Sequence, residues 1–413
     1  MLWIPPIHIF LRFFMQIADR INRLGTETSF VVLARARELE AQGRDIIHLE
    51  IGEPDFDTAP NIIEAAKQAL DSGYTHYGPA AGLMPFRKTI AEVEGARRGL
   101  EFKPEMVVVT PGAKPIMYYA IMAIVNPGDE VIYPNPGFPI YESAIELAGG
   151  TPVALPLTEE TGFAFSIDDL RGRITPKTKM LIINSPQNPT GGILTQDDLK
   201  QIAELAVKHD LWVLADEIYG RITYDGFKNY TIASYPGMID RTIILDGFSK
   251  TYAMTGWRLG FGIMPKELAE IVAKLQTNVA SCTASFIQVA GIEALTGPQK
   301  WVDDVVEEFR RRRDLIVDGM NSIPGFKCHK PLGAFYVFPN VQATGIDSKT
   351  LASRILNEAG VACLSGHTFG KYGQGYVRFS YANSIENIEK AIERIRKFMA
   401  EIEIPAETEA VAA

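Results

Sequence analysis

Through the middle of the chain, short runs rich in β-branched and apolar residues alternate with longer stretches of helical periodicity. This pattern predicts a mostly parallel sheet covered by helices. The runs fall at residues 106–110, 130–133, 151–154, 180–184, 212–216, 242–246 and 259–263. Between two of them Leu199, Ile202, Leu205 and Ala206 recur at helical spacing and lead into the apolar run Leu211 to Ala215, which reads as a central strand buried on both faces. Beyond Gly297 the pattern changes to a charged helix, a β-like segment at 333–338, a helix near 348–359 and a β-like segment at 376–381. A final helix shows Ile385, Ile388, Ile392, Ile395, Phe398 and Ile402 at three- and four-residue steps. The fold class is therefore α/β, a large domain with a seven-stranded sheet plus a smaller α+β domain.

A chain of 413 residues exceeds one simple core and leaves room for a cleft between two domains. Its net charge of -9 argues against a nucleic-acid surface. The basic run Arg310 to Arg313 lies among Asp303, Asp304, Glu307 and Glu308, which predicts a solvated helix face. Cys282, Cys328 and Cys363 are far apart and lack metal-ligand spacing, so neither a disulfide framework nor a metal is expected and a reducing cytoplasm fits. No stretch is long and apolar enough to span a bilayer. Residues 1–14 are apolar, but Pro5, Pro6 and Arg12 interrupt them, which speaks against a secretory signal. Met15 is an alternative start, and the tail after Pro405 is expected to fray.

The most informative segment is Gly247-Phe248-Ser249-Lys250, followed by Ala253-Met254-Thr255-Gly256-Trp257-Arg258-Leu259-Gly260, directly after a predicted strand. A lysine acts as a covalent catalyst only where burial or neighbouring cations let it lose its proton. Arg258 offers a planar fork of donors suited to a phosphate. Taken alone, the pair also reads as a surface lysine and half of an ion pair. Together the segment resembles the cofactor-attachment signature of the class I/II aminotransferases, of the aspartate aminotransferase-like fold type I. The resemblance implies that Lys250 holds pyridoxal 5′-phosphate as an imine and that Arg258 binds its phosphate. Gly247 stands where several members carry a phosphate-binding serine, leaving Ser249 as the hydroxyl to replace it.

Further motifs follow in the family's order. Asn184 to Gly191 resembles its Asn-Pro-Thr-Gly loop, which assigns Asn188 to the ring hydroxyl oxygen and to substrate. Asp216 ends the apolar strand, where ligands of open sheets usually sit. The resemblance implies that it pairs with the protonated pyridine nitrogen and that Tyr219 bonds the ring hydroxyl, against a capping aspartate and a packed tyrosine. Thr110 to Lys114 joins a strand to a helix, so the backbone of Gly112 and Ala113 could face an anion. By resemblance this turn carries the phosphate. Lys114 matches a residue that in aspartate-using members contacts the substrate's second carboxylate, and a surface lysine is the competing reading. Phe138 matches the aromatic residue stacked on the ring, and Gly52 the glycine lying against the substrate. Arg378, in an alternating strand pattern, matches the arginine that holds the α-carboxylate. Tyr77 matches a tyrosine reaching the phosphate in the partner subunit, which makes the expected assembly a homodimer with shared active sites.

The resemblance thus implies a pyridoxal-phosphate-dependent transaminase. Lys250 moves the α-proton of an L-amino acid while Asp216 keeps the ring electron-poor. The domains expected are 1–58 as N-terminal arm and part of the small domain, 59–297 as the large cofactor-binding domain, and 298–413 as the small C-terminal domain. Lys114 favours aspartate and 2-oxoglutarate. Aromatic, alanine, kynurenine and prephenate transamination, and carbon-sulfur β-lysis, are the alternatives. The partners expected are small acids, with no nucleic acid and no membrane. A DNA-binding regulator is disfavoured because the residues before Gly52-Glu53-Pro54-Asp55 are few and apolar.

Overall fold

The computed structural model describes residues 18–25 and 27–402. The expectations for residues 1–14 and for the tail after Pro405 lie outside the described residues. A short strand β1 (Ile47–His48) precedes the large sheet. That sheet is built from β2 (Val107–Thr110), β3 (Glu130–Asn135), β4 (Thr151–Pro156), β5 (Thr178–Asn184), β6 (Trp212–Asp216), β7 (Thr242–Gly247) and β8 (Gly260–Ile263). All seven expected strands are present, β6 with the expected ends and each of the others with one end displaced by one or two residues. β5 starts at Thr178 because that polar residue pairs with Glu130, a ladder contact that hydrophobic patterning does not register.

The strand order is β2-β8-β7-β6-β5-β3-β4. Neighbours from β4 through β7 are parallel, while β8 is antiparallel to both β7 and β2. Successive side chains of a strand point to opposite faces. On β6, Leu214 packs with Ile116, Ile121 and Val272 on one side, and Val213 and Ala215 pack with Leu199 and Ile202 on the other. Burial on both faces explains the uninterrupted apolar run. The expected stripe forms the helix Gln196–Lys208, opened by a capping box between Thr195 and Asp198.

The chain continues with β9 (Tyr336–Val337), β10 (Val361–Ala362), β11 (Leu364–Ser365) and β12 (Val377–Ser380). β12 lies between β11 and β9 in an antiparallel sheet, and β10 pairs in parallel with β1. The helices Lys300–Asn321 and Ile385–Ala400 close this core, with Phe309, Ile316, Phe335, Phe379, Ile388 and Ile395 buried together. The β-like segment expected at 333–338 shrinks to two paired residues, because Gly333 makes only an isolated bridge to Thr223. The helix expected at 348–359 is Ser348–Arg354 continued by one wide turn over Ile355–Ala359.

The basic run requires a correction. Arg310 and Arg311 bond acidic residues on their own helix, but Arg312 and Arg313 are buried. Arg312 reaches Asp55 at 2.6 Å and lies over the ring of Phe56, while Arg313 holds Asp225 at 2.8 Å. The helix is long enough to carry one face inward, and that face is neutralised by Glu308 and Asp314 of the helix itself together with Asp55 and Asp225 from distant loops.

Candidate active site

Parallel strands end at a common edge, and here that edge gathers the chemistry. β5 ends at Asn184, β6 at Asp216 and β7 at Gly247, while Thr110 at the end of β2 is paired with Gly260 at the start of β8. They open into a cavity of about 520 Å³, a volume suited to a small cofactor with its substrate. Gly52, Ala113, Lys114, Phe138, Asn188, Asp216, Tyr219, Ser249, Lys250, Arg258 and Arg378 line it.

Lys250 follows β7 and is half-buried, its Nζ donating to the carbonyl of Gly52 at 2.6 Å. Burial lowers its pKa to about 8, and Arg378 and Arg258 push the same way against Glu53 and Glu27. The amine is therefore easily deprotonated near neutrality. A side chain on Gly52 would collide with the Tyr336 hydroxyl, so glycine is required for this backbone to approach so closely.

Asp216 is fully buried and makes no ion pair among the described residues. Tyr141 donates to its Oδ2 at 2.5 Å and the backbone N–H of Ile218 to its Oδ1 at 3.2 Å. Burial raises its pKa to about 6, with the Tyr141 bond opposing the rise. A buried carboxylate without a cation is a site for a cationic ring nitrogen. Tyr219 donates to or accepts from Tyr336 at 2.8 Å, and burial pushes its phenol well above the usual range.

The opposite end favours an anion. The turn Gly112-Ala113 leads into the helix Lys114–Ile124, where the N–H groups of Ala113 and Lys114 are left for a ligand; Pro115 has none and that of Ile116 donates to the Ala113 carbonyl. Gly112 has φ +85°, and a Cβ there would strike the Arg258 guanidinium, which lies across it. Arg258 itself bonds the carbonyl of Thr255 at 2.9 Å, and Ser249 is buried beside the cavity. Phe138 packs edge-on against Tyr141 with ring centroids 5.6 Å apart.

Arg378 on β12 enters from the smaller sheet. Its Nη1 donates to Asn188 Oδ1 at 3.0 Å and its Nη2 to the carbonyl of Glu50, while Nε has no partner. The guanidinium lies 4.4 Å from the Tyr336 ring centroid and 4.9 Å from that of Phe369. Burial lowers its pKa, though an arginine stays charged. The guanidinium lines the cavity wall, its unpaired Nε buried behind the two bonded Nη groups.

Of the residues singled out from sequence, Gly112 adjoins the cavity through Ala113 and Arg258, and Tyr77 alone stands apart. Its side chain is 90% exposed on the loop before the helix Met84–Arg98. Sequence reasoning missed Tyr141, Tyr336, Phe369 and Glu27. Tyr141 lies three residues beyond Phe138, one helical turn that puts both on the same face, so that spacing was a usable signal. The other three come from remote segments and left none. Among the described residues no cluster could hold a metal ion.

With this geometry in view, comparison with known proteins is decisive. The family model "Aminotransferase class I and II" matches residues 44–395. The chain belongs to the class I and II aminotransferases. It is 44% identical over 390 residues to an aspartate aminotransferase of Pyrococcus abyssi, covering 94% of this chain and 99% of that protein. Aromatic-amino-acid aminotransferase 2 of Thermococcus litoralis is 42% identical over 390 residues, with the same coverage of 94% and 99%. Among solved structures, the aspartate aminotransferase of Thermus thermophilus with maleate superimposes with a TM-score of 0.89 at 37% identity, covering 92% of this chain and 99% of that one. As an aminotransferase the protein is an enzyme that transfers amino groups, and its family works with pyridoxal 5′-phosphate.

Proposed function

We propose that this aminotransferase exchanges the amino group of an L-amino acid, aspartate or an aromatic amino acid, for the oxo group of a 2-oxo acid such as 2-oxoglutarate, using pyridoxal 5′-phosphate attached at Lys250. The observation that carries the proposal is the pairing, in one buried cavity, of a lysine with lowered pKa and a carboxylate that lacks a cation. The donor set fits the cofactor at both ends. Arg258, Ser249 and the N–H groups after Gly112 suit its phosphate, Asp216 its ring nitrogen, Phe138 one ring face, and Asn188 and Tyr219 its ring oxygen. Once bound, pyridoxal phosphate supplies an electron sink for the charge left when the α-proton departs.

The chain's own residues do the rest. Arg378 grips the substrate's α-carboxylate from the cavity wall, which fixes the α-carbon near Lys250. Lys250 Nζ, neutral once deprotonated, takes the α-proton and delivers it to the other side of the transferred nitrogen. Asp216, ionised, holds the ring nitrogen in its charged form. The helix start at Lys114 and the arginine above Gly112 hold the anionic end still.

A homodimer belongs to the same proposal, with the exposed Tyr77 as the arm reaching the neighbouring site. So do the division at residues 58 and 297 and a cytoplasmic location; the widely spaced free cysteines support the latter. No described helix is long and apolar enough to cross a membrane. The test is to add amino acids singly to the cofactor-loaded protein and follow the cofactor absorbance and the 2-oxo acid formed. Conversion by aspartate or phenylalanine is expected, and Lys250→Ala should lose at least ~10²–10⁴-fold in rate. Release of pyruvate and ammonia without an acceptor would instead point to β-lysis.

A further inference from the structure

Lys114 does not stand free in the cavity. Its ammonium lies 5.4 Å from the centroid of the Phe138 ring and is ion-paired with Glu27, 87 residues earlier in the chain. Glu27 precedes the helix Thr28–Ala41 and comes from none of the sheet-edge loops that build the rest of the floor. It also lines the cavity, and its side chain is 18% exposed against 46% for Lys114. The carboxylate faces inward, close enough to act electrostatically on Lys250, Tyr336 and Arg378.

The cations lining the cavity are Lys114, Lys250, Arg258 and Arg378. Lys250 holds the Gly52 carbonyl, Arg258 lies over Gly112, and Arg378 is stacked between Tyr336 and Phe369. Among the described residues, Lys114 is therefore the cation left to meet a charged substrate side chain. With its charge met by Glu27, Lys114 offers a substrate's apolar or aromatic side chain no unpaired cation, only its stem and the adjoining Phe138 ring. An acidic side chain brings its own carboxylate, and two carboxylates on one ammonium repel.

Resting on the transaminase reading above, we infer that Glu27 is a specificity-determining residue whose carboxylate occupies Lys114 in the place of a substrate's side-chain carboxylate. The cavity is thereby preset for amino acids without a distal charge, and aspartate or glutamate gains Lys114 only by displacing Glu27. One site then serves two substrate classes by exchanging an internal carboxylate for an external one.

Glu27→Gln keeps the shape and removes the charge that holds Lys114. The experiment compares kcat/KM for aspartate and for phenylalanine in the holoenzyme of the wild type, Glu27→Gln, Lys114→Met and the double variant. Calorimetric binding of maleate, an unreactive dicarboxylate, and of 3-phenylpropionate accompanies it. Loss of one competing charge-assisted bond should raise the aspartate-to-phenylalanine ratio about tenfold and tighten maleate by a similar factor. In the Lys114→Met background the same substitution should change neither. A ratio and a maleate affinity that stay within twofold in Glu27→Gln would overturn the inference, as would an equal gain in the Lys114→Met background. Should the wild type transaminate neither substrate, the transaminase reading fails, and maleate affinity still decides the role of Glu27. Glu27→Ala provides a second variant in which the same direction is expected.

Discussion

Tyr141 shows how much a single hydroxyl can set. It donates to Asp216 at 2.5 Å and opposes the rise in pKa that burial imposes on that carboxyl. In the protein without cofactor, Asp216 is protonated as pH falls through about 6, so cofactor affinity should weaken below that pH. Tyr141→Phe removes the opposing bond and moves the titration upward. The variant should bind pyridoxal phosphate about tenfold more weakly at pH 7, with the deficit shrinking as pH rises, measured by absorbance titration. Lys250, Arg258 and Asp216 were readable from sequence because each sits in a contiguous motif next to a strand end. Tyr336 and Glu27 were not, since only the folded chain brings segments 120 residues from Asp216 and 223 residues from Lys250, respectively, to the same cavity.

Elements carry charges that pattern reading misplaced. Arg98, at the end of the helix Met84–Arg98, is buried with Glu94, Glu217 and Asp246 around it, at 2.8 Å from Glu217 and 3.1 Å from Asp246. Burial alone would lower its pKa, and the three carboxylates reverse that. Glu217 directly follows β6 and Asp246 is the last residue but one of β7, so the arginine fastens the strand ends that carry Asp216 and lead to Lys250. Arg98→Met should destabilise the protein by about 3–5 kcal/mol, because it leaves the buried Glu217 unpaired and Glu94 and Asp246 with Arg97 alone; a denaturant titration measures it. His48 on β1 bridges Glu50 at 2.8 Å and Glu40 at 3.0 Å. The Glu50 bond leads in raising its pKa to about 9, against burial. A folded pKa above the unfolded value means that the stabilisation is complete below about 6.5 and disappears as pH rises past about 9. His48→Gln should therefore cost ~1 kcal/mol at pH 6, after allowance for solvent screening, and almost nothing at pH 10. Strands were legible from apolar runs and the last helix from its stripe. Arg312 and Arg313 were not, because beside the local Glu308 and Asp314 they take Asp55 and Asp225, on loops that no local window contains.

At the scale of the whole molecule, the two sheets meet over one cavity, the larger giving Lys250 and Asp216 and the smaller giving Arg378. An assembly of two such chains would bring the exposed Tyr77 of each toward the other. Light scattering should report a dimer, and Tyr77→Phe should raise the cofactor dissociation constant about tenfold without changing that mass. A monomer that binds the cofactor normally would refute the shared site. The alternation of strands and helices made the layered architecture legible in advance, but not the direction of β8, which no periodicity encodes. That direction matters. A parallel β8 would need a crossover that leaves the cavity edge and returns. Because β8 runs antiparallel to β7, the chain from Gly247 to Gly260 never departs from that edge, and Lys250 and Arg258 belong to one uninterrupted span. The separation between amine and guanidinium is thus set by a whole number of residues. Inserting or deleting a single residue between them would retune both holds at once, and no adjustment elsewhere in the sheet could restore the spacing.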